Sequence, residues 1–315
     1  MTSELRDSAR QVLDELGLAA SEDKSWPHVV ELGWLLAAVP ESLGGLEQGL
    51  AGACAIQMEV GRSLAAAPTM SALVAIEAIV HSSAPDRETL VQRVTAGDFA
   101  AVALSGEASA LASADKATHI LRVASDVVAL VPRSETKLTA RPTWDETRRL
   151  FDVQFTGSGV VLAQGLAAKD LGRRIATARD FLLAADSVGG ASTLLDRTVE
   201  YLQTRKQFGR PLALFQALKH RCADLKTMIA AAEALLQDAL ESQSERDGKA
   251  AKQLACAAYA KVAEEALQLH GGIGMTAEHH CHLFLKRALL NEQLGRDPAS
   301  YDLDLADELI AAAAL

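Results

Sequence analysis

The stretch LGRRIATARDFLLAADSVGGASTLLDRTVEYL, Leu171 to Leu202, decides the fold. Its residues Leu171, Ile175, Ala178, Leu182, Ala185 and Gly189 recur at intervals of 4, 3, 4, 3 and 4, and Leu195, Val199 and Leu202 extend the same face. That period belongs to an amphipathic α-helix, here a long one. After a break at Gly209-Arg210-Pro211, the residues Phe215, Leu218, Cys222, Leu225, Ile229, Ala232, Leu236 and Ala239 repeat at 3 and 4. Two such faces in succession imply long helices packed nearly parallel. Further helices are expected from about Lys249 to Leu269, from Glu278 to Gln293, and from Ala299 onward as an acidic tail. Residues 166–315 therefore read as a C-terminal four-helix bundle.

Upstream the texture changes. Phe99–Leu104, His119–Val123, Val127–Val131 and Leu150–Phe155 are short runs rich in valine, isoleucine and leucine, separated by Ser, Asp, Gly and Pro as strands are. Residues 98–165 are read as a small middle β domain, a reduced barrel or sheet. No glycine-rich loop there enters a helix, which excludes a Rossmann unit. Residues 1–97 read as an N-terminal helical domain. Trp26-Pro27 is expected to open one helix, Val39-Pro40-Glu41-Ser42-Leu43-Gly44-Gly45 to break the pattern, and Met70 to Val80 to form another helix. The fold class is mainly α with a small central β domain.

Composition narrows the function. The 315 residues are 49% hydrophobic, enough for a sizeable core. The formal charge of −10, from 31 basic and 41 acidic residues, repels phosphate backbones and excludes nucleic acid as a partner. The longest charge-free stretch, Val153 to Ala168, is interrupted by glycine and falls short of the roughly 20 apolar residues that span a bilayer. No membrane segment is expected. The opening MTSELRDSARQVLDELG lacks the apolar core of a signal peptide. Cys54, Cys222, Cys256 and Cys281 lie far apart without a C-x-x-C pair, so a cytoplasmic setting with reduced thiols is expected. The cluster His279, His280, Cys281, His282 has no zinc-finger spacing, and no metal is expected.

Two segments are unlike generic helix sequence. The first is Tyr201-Leu-Gln-Thr-Arg205-Lys-Gln207-Phe208-Gly209-Arg-Pro211-Leu-Ala-Leu-Phe215-Gln216. Arg205 at the end of a long helix offers a planar, permanently charged fork suited to a pyrophosphate. Gly209 and Pro211 supply a turn, Phe208 can lie against a ring, and Gln216 can both donate and accept. The second is Gln268-Leu-His270-Gly271-Gly272-Ile-Gly274-Met-Thr276-Ala-Glu278-His279, followed by His282-Leu-Phe-Leu-Lys286-Arg287-Ala288. Its glycines stop a helix and leave bare backbone for close approach of another group.

Together these segments closely resemble the C-terminal half of the acyl-CoA dehydrogenase family. The run Glu31-Leu-Gly-Trp34, Val39-Pro40-Glu41, Gly44-Gly45 and Glu59-Val-Gly61-Arg62 is similar to that family's opening helices. The resemblance covers nearly the whole chain in order. It implies a helix–β–bundle fold, FAD as cofactor, and an acyl-CoA substrate. It also implies that Arg205, Gln207, Phe208, Gln216, Gln268, Gly271 and Gly272 hold the flavin's adenosine and pyrophosphate across a subunit interface.

The middle of the chain departs from the family pattern. The stretch that surrounds the flavin ring in active members reads Ala103-Leu104-Ser105-Gly106-Glu107-Ala108 here, and no tryptophan occurs between Trp34 and Trp144. Aligned from Gly271-Gly272, the position of the family's catalytic glutamate falls on Gly295, and Glu292 nearby reads as a solvated residue. The alternative base position falls on Arg179 beside Asp180. Asp180 and Asp186 read as charges on an exposed helix face, so no catalytic residue is assigned. The chain is similar to short partner subunits of heteromeric actinobacterial-type acyl-CoA dehydrogenases, which act on bulky thioesters such as steroid side chains. That resemblance implies a hetero-oligomer, of the heterotetramer type, in lipid metabolism and steroid degradation, with a homologous subunit supplying the base. Two alternatives stay open at this stage: a non-catalytic relic that stabilises or regulates a homologous dehydrogenase, and a self-sufficient homomeric enzyme.

Overall fold

The computed structural model describes residues 2–105 and 107–313. Five helices come first: α1 (Thr2–Leu16), α2 (Glu22–Glu31), α3 (Gly49–Ser63), α4 (Thr69–Val80) and α5 (Arg87–Thr95). Seven strands follow: β1 (Ala100–Ser105), β2 (Ser109–Ala112), β3 (His119–Val123), β4 (Val127–Pro132), β5 (Thr136–Arg141), β6 (Leu150–Phe155) and β7 (Val160–Gln164). They form one sheet in the order β5-β6-β2-β1-β3-β4-β7, with β1 and β3 parallel and the other neighbours antiparallel. The chain then enters α6 (Leu166–Thr204), the two-residue strands β8 (Lys206–Gln207) and β9 (Arg210–Pro211), α7 (Gln216–Ser242), α8 (Glu245–His270), α9 (Cys281–Gln293) and α10 (Pro298–Ala313). The expected class, mainly helical around a central sheet with a C-terminal bundle of α6 to α9, is the one observed.

Local chemistry explains several boundaries. Ser244 caps α8 by accepting from the Asp247 backbone N–H at 3.1 Å, which satisfies one donor of the first turn. Pro27 does not open α2, which starts at Glu22 after Ser21 and carries the proline inside. The acidic pair Glu22 and Asp23 favours the earlier start, because a helix N-terminus attracts negative charge. Three strands lie outside the runs singled out in the sequence: β2 and β5 lack an apolar run, whereas β7 carries Val160-Val161-Leu162. They are fixed by pairing with β1 and β6, with β6, and with β4 respectively.

The 39-residue α6 is the axis of the molecule, roughly 60 Å long at 1.5 Å per residue. It packs against α3, α4, α7, α8 and α9 and against β4 and β7. Its closest approach is to α3. A Cβ at Gly189 would lie 2.0 Å from the Met58 carbonyl oxygen, and one at Gly61 would lie 2.2 Å from that of Asp186. Only hydrogen side chains let these two backbones touch. From Asp180 to Ala191 every residue of α6 is buried. Asp180 and Asp186, expected on an exposed face, are therefore interior, because α6 is covered on all sides in this region.

Burying Asp186 requires compensation, and four side chains from three elements provide it. Arg148, from the loop between β5 and β6, lies 3.0 Å from the Asp186 carboxylate, and Arg287 of α9 lies 3.4 Å from it. Gln57 of α3 and Asn291 of α9 donate to it at 2.8 and 2.7 Å. Arg287 also meets Asp145 of the same loop at 2.7 Å and donates to Thr147. Two carboxylates and two guanidinium groups thus form a charge-balanced interior cluster. Burial pushes the Asp145 and Asp186 carboxyls up, but the two arginines outweigh it and hold both below the ordinary 3.8. Their contribution to stability is fully present above that value and is lost as pH falls through the lower folded values.

Arg287→Met should cost about 3–5 kcal/mol, because it leaves buried carboxylates without their shared partner. Urea unfolding would show this loss, and acid unfolding should move to higher pH as the unpaired aspartates take up protons earlier. Gly189→Ala should cost about 1–3 kcal/mol by forcing α3 and α6 apart, measured as a lowered Tm.

Candidate functional site

One end of the bundle gathers both sequence motifs. The last turn of α6 stops at Arg205, whose backbone N–H still bonds to the Tyr201 carbonyl at 2.8 Å while its own carbonyl accepts from Leu212 at 2.9 Å. Between them the chain folds into a tight hairpin, pairing Lys206 with Pro211 and Gln207 with Arg210. Its two central residues, Phe208 (φ +53°) and Gly209 (φ +78°), both take left-handed backbone, as primed hairpin turns demand. Glycine adopts this freely, but phenylalanine does so at a cost of order 1–3 kcal/mol. That strain holds the Phe208 ring 89% exposed. Behind it, Arg210 stacks on the Phe215 ring at 4.0 Å, and Phe208 meets that ring edge-on at 6.1 Å. Gln216 begins the 27-residue α7 and is exposed, so the positive end of that helix faces the same solvent region. Arg205 and Gln207 are exposed, and Arg205 takes part in none of the ion pairs among the described residues.

The second motif lies beside the first. Tyr201 of α6 donates its hydroxyl to the His270 carbonyl at 3.3 Å, and the two rings stack at 4.5 Å. His279 packs on His270 at 4.5 Å and on Tyr201 at 6.3 Å. The ends of α6 and α8 are thereby joined just before Arg205 and just before Gly271. Gly271 (φ +67°) breaks α8, and neither it nor Gly272 would place a Cβ within 4 Å of another atom. Gln268 is exposed one turn earlier. Bare backbone amides, an arginine fork, amide side chains and an uncovered aromatic ring form a surface suited to a nucleotide diphosphate. The FAD adenosine and pyrophosphate fit this donor set. Among the described residues, no group of three His, Cys, Asp or Glu is arranged to hold a metal ion.

The interior is different. Between β2, the β5–β6 loop and helices α3, α4 and α9, the cavity measures about 20 Å³ and is lined in part by Gln57, Ser71, Arg148 and Arg287. That is room for about one water, and no tricyclic ring enters it. Gly106, part of the segment compared with the flavin-ring stretch, lies outside the described residues. Gly295 has φ +91°, and a Cβ there would fall 2.5 Å from the Tyr301 hydroxyl. Tyr301 of α10 is fully buried and donates to Asp180 at 2.8 Å, and Arg179 pairs with the same carboxylate oxygen at 2.9 Å. Lys252 of α8 stands over the Tyr301 ring at 4.6 Å. Glu292, expected to be solvated, is partly buried, and burial pushes its carboxyl above the ordinary 4.5.

Sequence reasoning missed the Asp145–Arg148–Asp186–Arg287 cluster and the Tyr201–His270 stack. A signal for the first was present: Cys281, Phe284, Arg287, Ala288 and Asn291 share helical spacing, which puts Arg287 and Asn291 on a buried stripe.

Residues 174–295 match the family model for the acyl-CoA dehydrogenase C-terminal domain. The chain is 35% identical over 270 residues to acyl-CoA dehydrogenase IpdE2 of Mycobacterium tuberculosis, covering 85% of this chain and 80% of that protein. It is 34% identical over 266 residues to IpdE2 of Mycolicibacterium smegmatis, covering 84% and 80%. Among solved structures, a variant of the Tcur3481–Tcur3483 steroid acyl-CoA dehydrogenase superposes with a TM-score of 0.88 at 25% identity, over 100% of this chain and 99% of that one. The ChsE4–ChsE5 complex from Mycobacterium tuberculosis shares the fold with a TM-score of 0.89 at 22% identity, over 98% and 97%. The chain therefore belongs to the acyl-CoA dehydrogenase family, the oxidoreductases whose cofactor is FAD.

Proposed function

We propose that this chain is the partner-type subunit of a heteromeric acyl-CoA dehydrogenase. It lends an open half-site to FAD seated mainly in a homologous subunit, and that subunit supplies the catalytic base. The reaction is α,β-dehydrogenation of an acyl-CoA thioester, and a bulky, steroid-derived acyl group is the substrate class favoured by the named relatives. The observation that carries this reading is Phe208, a large ring held 89% exposed on a strained turn beside an unpaired Arg205. Strain and exposure together are costs that a covering nucleotide from outside the chain would offset.

When bound, FAD would supply the two-electron acceptor for the hydride that leaves the substrate's β-carbon. The roles of this chain's residues are binding and orientation. Arg205 would hold the pyrophosphate by charge-assisted N–H bonds from its guanidinium. Gln207 and Gln216 meet the nucleotide's polar edges, and Phe208 lies against its ring. Gln268, Gly271 and Gly272 admit the adenosine end close to the backbone. At the position of the family glutamate this chain offers no carboxylate, because that residue is Gly295 and Tyr301 fills the space beside it. No described helix is long and apolar enough to cross a membrane, and the four cysteines are unpaired, in keeping with a reducing, cytoplasmic setting.

Two variants test this, the first in the assembled complex and the second in the chain alone. Arg205→Ala should weaken FAD retention by about 1.5–3 kcal/mol, roughly 10- to 150-fold, through loss of a charge-assisted bond. Unchanged retention by fluorescence titration would sink the half-site. Gly295→Glu in the chain alone should lower its Tm and produce no acyl-CoA-dependent flavin reduction; turnover by that variant would show that the chain houses a complete site.

A further inference from the structure

We propose that Tyr201, His270 and His279 form a proton-sensitive clamp that sets the register between the two halves of the flavin half-site. The proposal rests on the half-site reading and adds positioning residues to it. Arg205 follows Tyr201 by four residues at the end of α6, and Gly271 follows His270 directly at the end of α8. The Tyr201–His270 contact is thus the last link between the helices before each releases its binding segment. It is made of one hydrogen bond at 3.3 Å and one stacked ring pair at 4.5 Å, closed over by His279 at 4.5 Å from His270.

The protonation state of the clamp follows from its geometry. His270 Nδ1 lies 2.8 Å from the Ala266 carbonyl, which can only accept, so Nδ1 carries the hydrogen. Nε2 is then the bare acceptor nitrogen, and it is buried with no partner among the described residues. A proton arriving there would create a charge 4% exposed, with no acceptor for its N–H. The surroundings do not compensate. The groups nearest the two imidazoles are Arg197, Glu200 and Tyr201 of α6 and His280 and His282 of the segment after Gly271. On the α7 side, Arg221 is already paired with Glu265 of α8. Glu200 lines the same cavity as Arg197, and Glu146, which faces His282, is itself paired with Lys286.

Burial holds His270 below its ordinary 6.5, and burial together with the neighbouring imidazoles and Arg197 does the same for His279. The sign is that of a group favoured neutral in the folded state. The clamp is complete above about 6.5 and loosens as pH falls through the lower folded values. A cavity of about 310 Å³ beside it, lined by Tyr201, Thr204, His279 and His280 among others, gives water a route to Tyr201 and His279.

The test uses the assembled complex and a pH series. FAD dissociation should accelerate by about 10-fold or more between roughly pH 7.5 and 5.5. His270→Phe keeps a stacking ring and has no proton to gain, so its acceleration should shrink to less than about 3-fold over the same range. An acceleration as large as that of the unaltered complex would overturn the proposal. The clamp is also read by NMR in the chain alone: His270 and His279 should titrate below 6.5, with the Tyr201 ring resonances moving at the same midpoints. Titration at 6.5 with Tyr201 unmoved would overturn the proposal whatever FAD does. Arg205→Ala separates the two ideas, since normal FAD retention by that variant removes the half-site while leaving the NMR result to decide the clamp.

Discussion

The structure depends on the neutralisation of Asp186 inside the bundle. A carboxylate buried on all sides of the longest helix is tolerable only if its charge is balanced and its lone pairs are filled. Arg148, 3.0 Å away, is the nearer counter-charge, while Arg287, 3.4 Å from the same carboxylate, reaches both Asp186 of α6 and Asp145 of the β5–β6 loop. The same side chain therefore fastens the sheet to the bundle. Gln57 brings in α3, which the glycine crossing at Gly61 and Gly189 already holds against α6. One cluster joins helices from both ends of the sequence to the sheet between them, and it occupies the junction where a cavity of about 20 Å³ is left.

The interior and the exposed end of the bundle follow opposite designs. Inside, the carboxylates of Asp145, Asp180 and Asp186 are paired with arginines, and the space around Gly295 is filled by Tyr301, Asp180 and Arg179. At the end of α6, Arg205 is unpaired, Phe208 is strained and uncovered, and the Gly271–Gly272 backbone faces open space. A sealed interior beside an unfinished surface is what a subunit needs if its binding surface is completed by another chain. Between the two lies the Tyr201–His270 contact, which belongs to the interior by burial and to the surface by position.

Much of this was legible in the sequence. Regular spacing of apolar residues located α6 and α7, and the valine-rich runs located β1, β3, β4 and β6. The strands β2 and β5 were not legible because they carry too few large apolar residues to make a run and are held by pairing with β1 and β6, whereas Val160-Val161-Leu162 of β7 was a signal left unread. The exposed surface proposed as a half-site drew notice in the sequence through residue types, an arginine fork, a Phe-Gly turn and a glycine helix stop, that are uncommon in packed helices. The buried charges were misread for a definite reason. On a helix covered on all sides, spacing no longer separates inside from outside, so Asp180 and Asp186 look like surface residues until their partners on α9, α10 and the β5–β6 loop are seen. Those partners lie far away in the chain.

The visible absorbance of the purified chain, alone and then co-expressed with a full-length homologous subunit, tests the central claim most directly when read together with native mass. The account predicts a colourless chain alone and a yellow complex in which both subunits are present in equal amounts. A yellow preparation of this chain alone, reduced on addition of an acyl-CoA, would contradict it, because that result requires a flavin site and a base within the sealed interior.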